Sequence, residues 1–221
     1  MEFEAVLFDC DGVLVDSEPL THGVLRDMLA TLGWTMSVEE CMRHFVGKDL
    51  FDEVATIEAR TGFTLTQTWM AEFRQRRDDT LHAQLQAIPN IHGALRSVYG
   101  HFDGRIACAS GADRQKVEMQ LERVNLMAYF EGRILSGHEM PHSKPFPDVY
   151  LAAAEVLGVD PRLCAVVEDT ITGVTAGVEA GAMVFAYSPG GRGGSTSDAL
   201  LAAGASQVFT DMEQLPGLLG A

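Results

Sequence analysis

Two hydrophobic rhythms divide the chain. An apolar run, Phe3-Glu4-Ala5-Val6-Leu7-Phe8, stops at Asp9-Cys10-Asp11-Gly12, the pattern of a strand buried on both faces and closed by a turn at its carboxyl end. From residue 20 to residue 86 the rhythm becomes helical: Leu20, Val24, Leu25, Met28, Leu29 and Leu32 recur at the spacing of one helix face. Further helical turns are predicted over Val38 to Phe45, Leu50 to Arg60 and Thr66 to Leu85, with Gly33, Gly47 and Gly62 as breaks. From Pro89 onward strands and helices alternate: strand Arg105 to Ser110, helix Arg114 to Leu126, strand Ile134-Leu135, helix Pro147 to Leu157 and strand Cys164 to Glu168. A helix near Val174 to Ala180, strand Met183 to Tyr187 and a final strand around Gln207 to Thr210 complete the series, and Ser188 to Ser195 reads as a glycine-rich mobile loop. Alternation of this kind predicts an α/β fold, a doubly wound, Rossmann-like parallel sheet, here interrupted after its first strand by a helical bundle. Residues 1–16 and 87–221 are thus expected to form a core and residues 17–86 a helical cap.

In an extended segment residues two apart point to the same side, so Asp9 and Asp11 are placed to face one ligand with Cys10 turned away. Paired carboxylates repel, and a divalent cation is the usual relief. Open α/β sheets bind ligands at the carboxyl ends of their strands, and three more motifs fall at such ends. Ser110-Gly111-Ala112-Asp113 leads into a helix, where a hydroxyl and backbone amides suit a phosphate oxygen, although the same residues also fit a plain helix cap. Ser143-Lys144-Pro145-Phe146-Pro147-Asp148 holds one lysine between stiffening prolines, either to neutralise a carboxylate–phosphate pair or as a surface lysine before a helix. The apolar strand Cys164 to Val167 delivers Glu168-Asp169, a pair that fits metal coordination and equally fits acids opening the next helix.

Composition narrows the partners. A net charge of −15 opposes nucleic acid and anionic membranes, which require a basic footprint. No run approaches the ~20 apolar residues of a membrane span and the start lacks a signal-peptide pattern, so a cytoplasmic protein is expected, monomeric or homodimeric. The four cysteines, Cys10, Cys41, Cys108 and Cys164, lack metal-type spacing and read as buried reduced thiols.

In order and spacing, the Asp9-Cys10-Asp11 strand end, the helical insertion and the Ser110, Lys144 and Glu168-Asp169 stations resemble the haloacid dehalogenase superfamily. The resemblance covers the whole chain and is nearest the branch of β-phosphoglucomutase-like and phosphogluconate-phosphatase-like enzymes. It implies that Asp9 is the nucleophile receiving a phosphoryl group and Asp11 the general acid and base. It implies further that Ser110, with Gly111, and Lys144 hold the phosphoryl oxygens. Mg2+ would sit on Asp9, the backbone carbonyl of Asp11 and Asp169, with Glu168 supporting it directly or through water. Asp11 argues against dehalogenation, because a halide leaving group needs no proton.

Substrate choice is expected from the cap. Val46 and Leu50 stand where β-phosphoglucomutases carry two cations for a distal phosphate, and Thr21 where they carry a histidine, with His22 one residue out of register. Lys48, Arg43, His44 and the Arg74-Gln75-Arg76-Arg77 run remain as candidates for an anionic substrate, Lys48 and Arg77 foremost. The sequence therefore points to a magnesium-dependent phosphatase of a small phosphorylated metabolite, a sugar or sugar-acid phosphate. A hexose phosphomutase is the alternative, with a phosphonoacetaldehyde hydrolase using Lys48, or a non-enzymatic binding protein, further behind.

Overall fold

A computed structural model describes residues 3–48, 50–190 and 194–221. In chain order the elements are β1 (Ala5–Phe8), α1 (Glu18–Thr31), α2 (Val38–Phe45), α3 (Val54–Thr61), α4 (Gln67–Gln84), α5 (Ile91–His101), β2 (Ile106–Ser110), α6 (Arg114–Arg123) and α7 (Met127–Phe130). They continue with β3 (Ile134–Ser136), α8 (Asp148–Leu157), β4 (Cys164–Glu168), α9 (Ile171–Glu179), β5 (Met183–Tyr187), α10 (Ser197–Ala202), β6 (Gln207–Phe209) and α11 (Leu215–Leu219).

Six parallel strands make one sheet in the order β3-β2-β1-β4-β5-β6. Strand residues alternate between two apolar layers: Val6 and Phe8 pack with α5, α6 and α11, whereas Ala5 and Leu7 pack with α8 and α9. Both faces of β1, β2 and β4 are fully buried, which is why these segments read as unbroken apolar runs. β1 lies between β2 and β4, so the order reverses at β1 and opens a crevice beyond its carboxyl end, directly at Asp9.

Helices α1 to α4 bury their own cluster, centred on Leu25, Leu29, Cys41, Phe45, Ile57 and Phe73. Ser37 and Glu40 close a capping box at the start of α2, and Thr66 accepts the amide of Trp69 at the start of α4. The segments leaving and re-entering the sheet lie side by side: Val15 bridges Ala87, and the Asp16 amide donates to the Gln86 carbonyl at 3.0 Å.

The structure shifts several predicted boundaries. The helix predicted over Arg114 to Leu126 ends at Arg123, because Asn125 turns left-handed (φ 59°), and α7 then starts afresh. The helix predicted from Leu50 starts at Val54 after a set of turns. α9 starts at Ile171, where the Thr170 hydroxyl caps the Gly173 amide. α5, α10 and α11 were not predicted. Of the glycine-rich segment expected to be a mobile loop, residues 191–193 lie outside the described residues, as does Asp49.

Candidate active site

β1 ends at Phe8, but the ladder runs one residue further, the Asp9 amide donating to the Val167 carbonyl at 3.0 Å. That bond fixes Asp9 above the crevice, 6% exposed. From the loop before α8, Lys144 Nζ donates to Asp9 Oδ1 at 2.7 Å and to Glu168 Oε1 at 2.6 Å. Tyr150 of α8 supports the lysine from below, its ring centroid 4.7 Å and its hydroxyl 3.0 Å from Nζ, and donates its own proton to Glu168 Oε1 at 2.8 Å. Burial lifts the Asp9 carboxyl and Lys144 pulls it down; with the charges of Glu168 and Asp11 added, it is pushed up to about 7. Glu168 is driven up by burial and more than recovered by Lys144, so it stays ionised and lies below its ordinary value. Lys144 loses to burial and gains from Asp9 and Glu168, ending well above the usual lysine value.

Glu168 is fully buried, and its Oε2 accepts the Asp169 amide at 2.9 Å, the Thr170 amide at 3.1 Å and the Thr170 hydroxyl at 3.0 Å. Its carboxyl lies where a Cβ on Gly173 would be. Gly173→Ala is therefore expected to expel the Glu168 carboxyl from its five donors. The expected cost is about 3 kcal/mol or more, read as a thermal midpoint lower by about 10 °C, with activity lost in parallel. An unchanged melting curve would contradict the packing described.

Asp169 follows at the same sheet edge. Its Oδ1 is buried without a hydrogen-bond partner, and Gly12 (φ 80°) leaves the space its carboxyl fills. Carboxylate oxygens of Asp9, Glu168 and Asp169 lie within 4.8 Å of one another. Burial, then the charges of Glu168 and Asp9, push Asp169 well above the carboxylate range. Crowded acids with an orphaned oxygen are costly alone and suit a hard cation with oxygen ligands. Because the Glu168 oxygens already hold protein donors, Asp9 and Asp169 are the members of the trio with room for such an ion.

Asp11 lines the same cavity but has separate partners. Lys116 of α6 donates to both of its oxygens at 2.9 Å, Gln120 Nε2 donates to Oδ1 at 2.8 Å, and the Ser17 hydroxyl donates to Oδ1. Burial raises Asp11, yet the Lys116 charge and the hydrogen bonds from Ser17, Gln120 and Lys116 outweigh it and hold the carboxyl at about 2. Cys10, between the two acids, is turned into the core. Neither Lys116 nor Gln120 nor Tyr150 was singled out from sequence.

Ser110 ends β2, and its Oγ accepts the Ala112 amide at 3.1 Å. The helix cap is Asp113, which accepts the Lys116 amide at 2.9 Å, so the cap reading of this motif holds at Asp113 and leaves Ser110 facing the cavity. Ser110, Gly111 and Lys144 line one cavity of about 620 Å³ with Asp9 and Asp11, and the helical bundle supplies its far wall, Lys48 and Arg77 included. Both bundle cations have acidic neighbours: Lys48 meets Glu53 at 2.9 Å, and Arg77 meets Asp78 at 2.7 Å and Asp113 at 3.9 Å. Arg74 also lines the cavity, over the Phe51 ring at 5.9 Å. Arg43 and Arg76 are exposed, the latter paired with Glu72, and His44 packs on Trp34. Leu50, Thr21 and His22 line the cavity, whereas Val46 lines a neighbouring one of about 670 Å³. No helix among the described residues is long and apolar enough to cross a membrane.

A family profile for haloacid dehalogenase-like hydrolases matches residues 3–181. The chain is 30% identical over 185 residues to the 6-phosphogluconate phosphatase of Escherichia coli K12, covering 83% of this chain and 82% of that protein. It is also 30% identical over 179 residues to hexitol phosphatase B of the same organism, covering 78% of each. Among solved structures, a HAD-family hydrolase from Deinococcus radiodurans R1 with bound phosphate and sodium superposes with a TM-score of 0.82 at 29% identity, over 99% of this chain and 95% of that one. A putative β-phosphoglucomutase from Thermotoga maritima gives a TM-score of 0.79 at 25% identity, over 100% and 99%. With the order of its strands, the acids at their ends and a profile match from the first strand to the end of α9 all in agreement, the chain belongs to the haloacid dehalogenase-like hydrolases.

Proposed function

We propose that this protein is a magnesium-dependent phosphatase that hydrolyses a small phosphorylated metabolite, a sugar or sugar-acid phosphate, through an aspartyl phosphate on Asp9. The observation that carries this reading is the separation of two acids two residues apart: Asp9 is held by Lys144, and Asp11 by a different lysine, on one cavity. Asp9 Oδ attacks phosphorus, the ester P–O bond breaks, and the departing alkoxide takes its proton from Asp11, which must therefore carry that proton when the ester is bound although Lys116, Ser17 and Gln120 favour its ionised form in the free site. Water then attacks the aspartyl phosphate and yields a proton to Asp11, and the Asp9–phosphorus bond breaks to regenerate the carboxylate. Lys144 lowers the repulsion between Asp9 and an incoming dianion, while Ser110 and the backbone at Gly111 receive the phosphoryl oxygens. Mg2+, held by Asp9, Asp169 and the Asp11 carbonyl with Glu168 behind them, would supply positive charge at those oxygens. In this reading residues 17–86 act as a cap that closes on the rest of the substrate. The phosphatase names of the relatives support the reaction class, and the name 6-phosphogluconate phosphatase supports a sugar-acid phosphate.

The mutase alternative rests on the β-phosphoglucomutase neighbour, and Val46 and Leu50 speak against it, because neither can hold a second phosphate. Assay of phosphate release from a panel of sugar and sugar-acid phosphates, with and without Mg2+, tests the proposal. Release confined to Mg2+ and strongest on one such ester is expected, while conversion of β-glucose 1-phosphate to glucose 6-phosphate without phosphate release would favour the mutase. Within the cap, Arg77→Ala and Lys48→Ala are expected to lower kcat/KM on the preferred substrate by about 10-fold or more. That is the loss of one charge-assisted contact, and p-nitrophenyl phosphate should be far less affected. Equal losses on both esters would remove these residues from substrate binding.

A further inference from the structure

We propose that Lys116 is a positioning residue for the acid–base step: with Gln120 it presents one oxygen of Asp11 to the reacting proton and keeps the Asp11 carboxylate, as distinct from its backbone carbonyl, off the cation that serves Asp9. This rests on the reading of Asp11 as the acid and base. Lys116 and Gln120 are four residues apart on α6 and share one face, and the Asp113 cap fixes where that face begins. Oδ1 of Asp11 accepts Ser17, Gln120 and Lys116, while Oδ2 accepts Lys116 alone. A carboxylate oxygen has about two lone-pair sites, so Oδ1 is saturated and Oδ2 keeps room for a proton. The direction of the Gln120 amide is fixed by a further contact, since its Oε1 accepts the Cys10 thiol at 3.6 Å and its Nε2 must then face Asp11. Gln120 is fully buried, which leaves the amide no competing water.

The two acid–lysine pairs come from different elements. Lys144, from the loop before α8, reaches Asp9 and Glu168; Lys116, from α6, reaches Asp11. With Lys116 removed, Asp11 retains only the neutral donors Ser17 and Gln120, both on Oδ1, and Oδ2 is no longer held in place. A carboxylate displaced by about 1 Å loses on the order of 100-fold in a proton transfer.

Nitrophenolate leaves without a proton, so with p-nitrophenyl phosphate the attack of Asp9 does not need Asp11, whereas the attack of water does. Rapid mixing of wild type, Asp11→Asn, Lys116→Met and Lys116→Gln with p-nitrophenyl phosphate and Mg2+ separates the steps. Asp11→Asn is expected to give a nitrophenol burst near one equivalent per site followed by a slow phase. Lys116→Met is expected to give the same burst with a slow phase about 10- to 100-fold below wild type. If Lys116→Met does not fold, Lys116→Gln, which keeps a donor without the charge, decides the point. A slow phase equal to wild type, or burst and slow phase reduced in equal proportion, overturns the proposal. Absence of a burst in Asp11→Asn instead overturns the reading of Asp11, and the role of Lys116 falls with it.

Discussion

Asp9→Asn is expected to abolish turnover, by on the order of 10⁴-fold or more, in a protein that folds as well as wild type. The amide keeps the shape of the side chain and an oxygen for Lys144, but it is a poor nucleophile and brings no negative charge to the acidic trio. Folding should not suffer, because burial already disfavours the Asp9 charge, lifting the carboxyl to about 7, and Lys144 keeps Glu168 as a partner at 2.6 Å. A thermal melt at or above that of wild type, together with no phosphate release, is the expected pair of results. Substantial retained activity would remove Asp9 from the chemistry, and a collapsed melting curve would assign it a structural role.

The second large effect concerns Asp169. Wild type is expected to be stabilised by Mg2+, by about 2.7 kcal/mol at a hundred times the dissociation constant, and Asp169→Ala is expected to lose most of that gain along with most activity. In metal-free buffer the order should invert. Asp169 is buried with an unpartnered oxygen beside two other acids, so removing it relieves repulsion and the variant should melt higher than the metal-free wild type. Thermal melts of both proteins across a Mg2+ titration read both effects. An identical Mg2+ response in the two proteins would move the ion elsewhere.

The sequence disclosed what burial makes periodic. β1, β2 and β4 were legible because every residue faces one apolar layer or the other, and the acids beyond them were legible because an apolar run that stops on carboxylates needs a reason. The helices were less so. α5 has Ile91, Ala94, Leu95 and Val98 at helical spacing, but His92, Gly93, Gly100 and His101 dilute the pattern. α10 and α11 are six and five residues long, too short to show a period, and Pro216 and Gly217 argue locally against a helix in the second.

Within the site the same distinction holds. Asp9, Asp11, Ser110 and Lys144 sit at or beyond strand ends, where sequence position implies spatial position. Lys116 and Gln120 sit on a helix rich in charge, Arg114-Gln115-Lys116-Val117-Glu118, where a lysine looks like one more solvated side chain. Only the packing of α6 on the sheet turns it inward. Its spacing to Gln120 behind a capping Asp113 was the available signal, and it becomes specific only once Asp11 is known to lie opposite. Tyr150 was hidden for the opposite reason, because Val149-Tyr150 on an apolar helix reads as plain core and nothing in the pattern marks the hydroxyl that reaches Glu168. The helical bundle was legible as helices, but its cations were not separable by sequence: Arg74 and Arg77 line the cavity while Arg76, between them, pairs with Glu72 outside it.

Trapping of the acyl phosphate is the most direct measurement. An aspartyl phosphate is reduced by borohydride to homoserine, whereas an unmodified carboxylate is not. Enzyme quenched with borohydride during turnover of p-nitrophenyl phosphate, then digested and mapped by mass spectrometry, is expected to carry homoserine at position 9, increased in Asp11→Asn and absent from Asp9→Asn. Homoserine at another carboxylate, or none at position 9 in an enzyme that is releasing phosphate, would contradict covalent catalysis by Asp9.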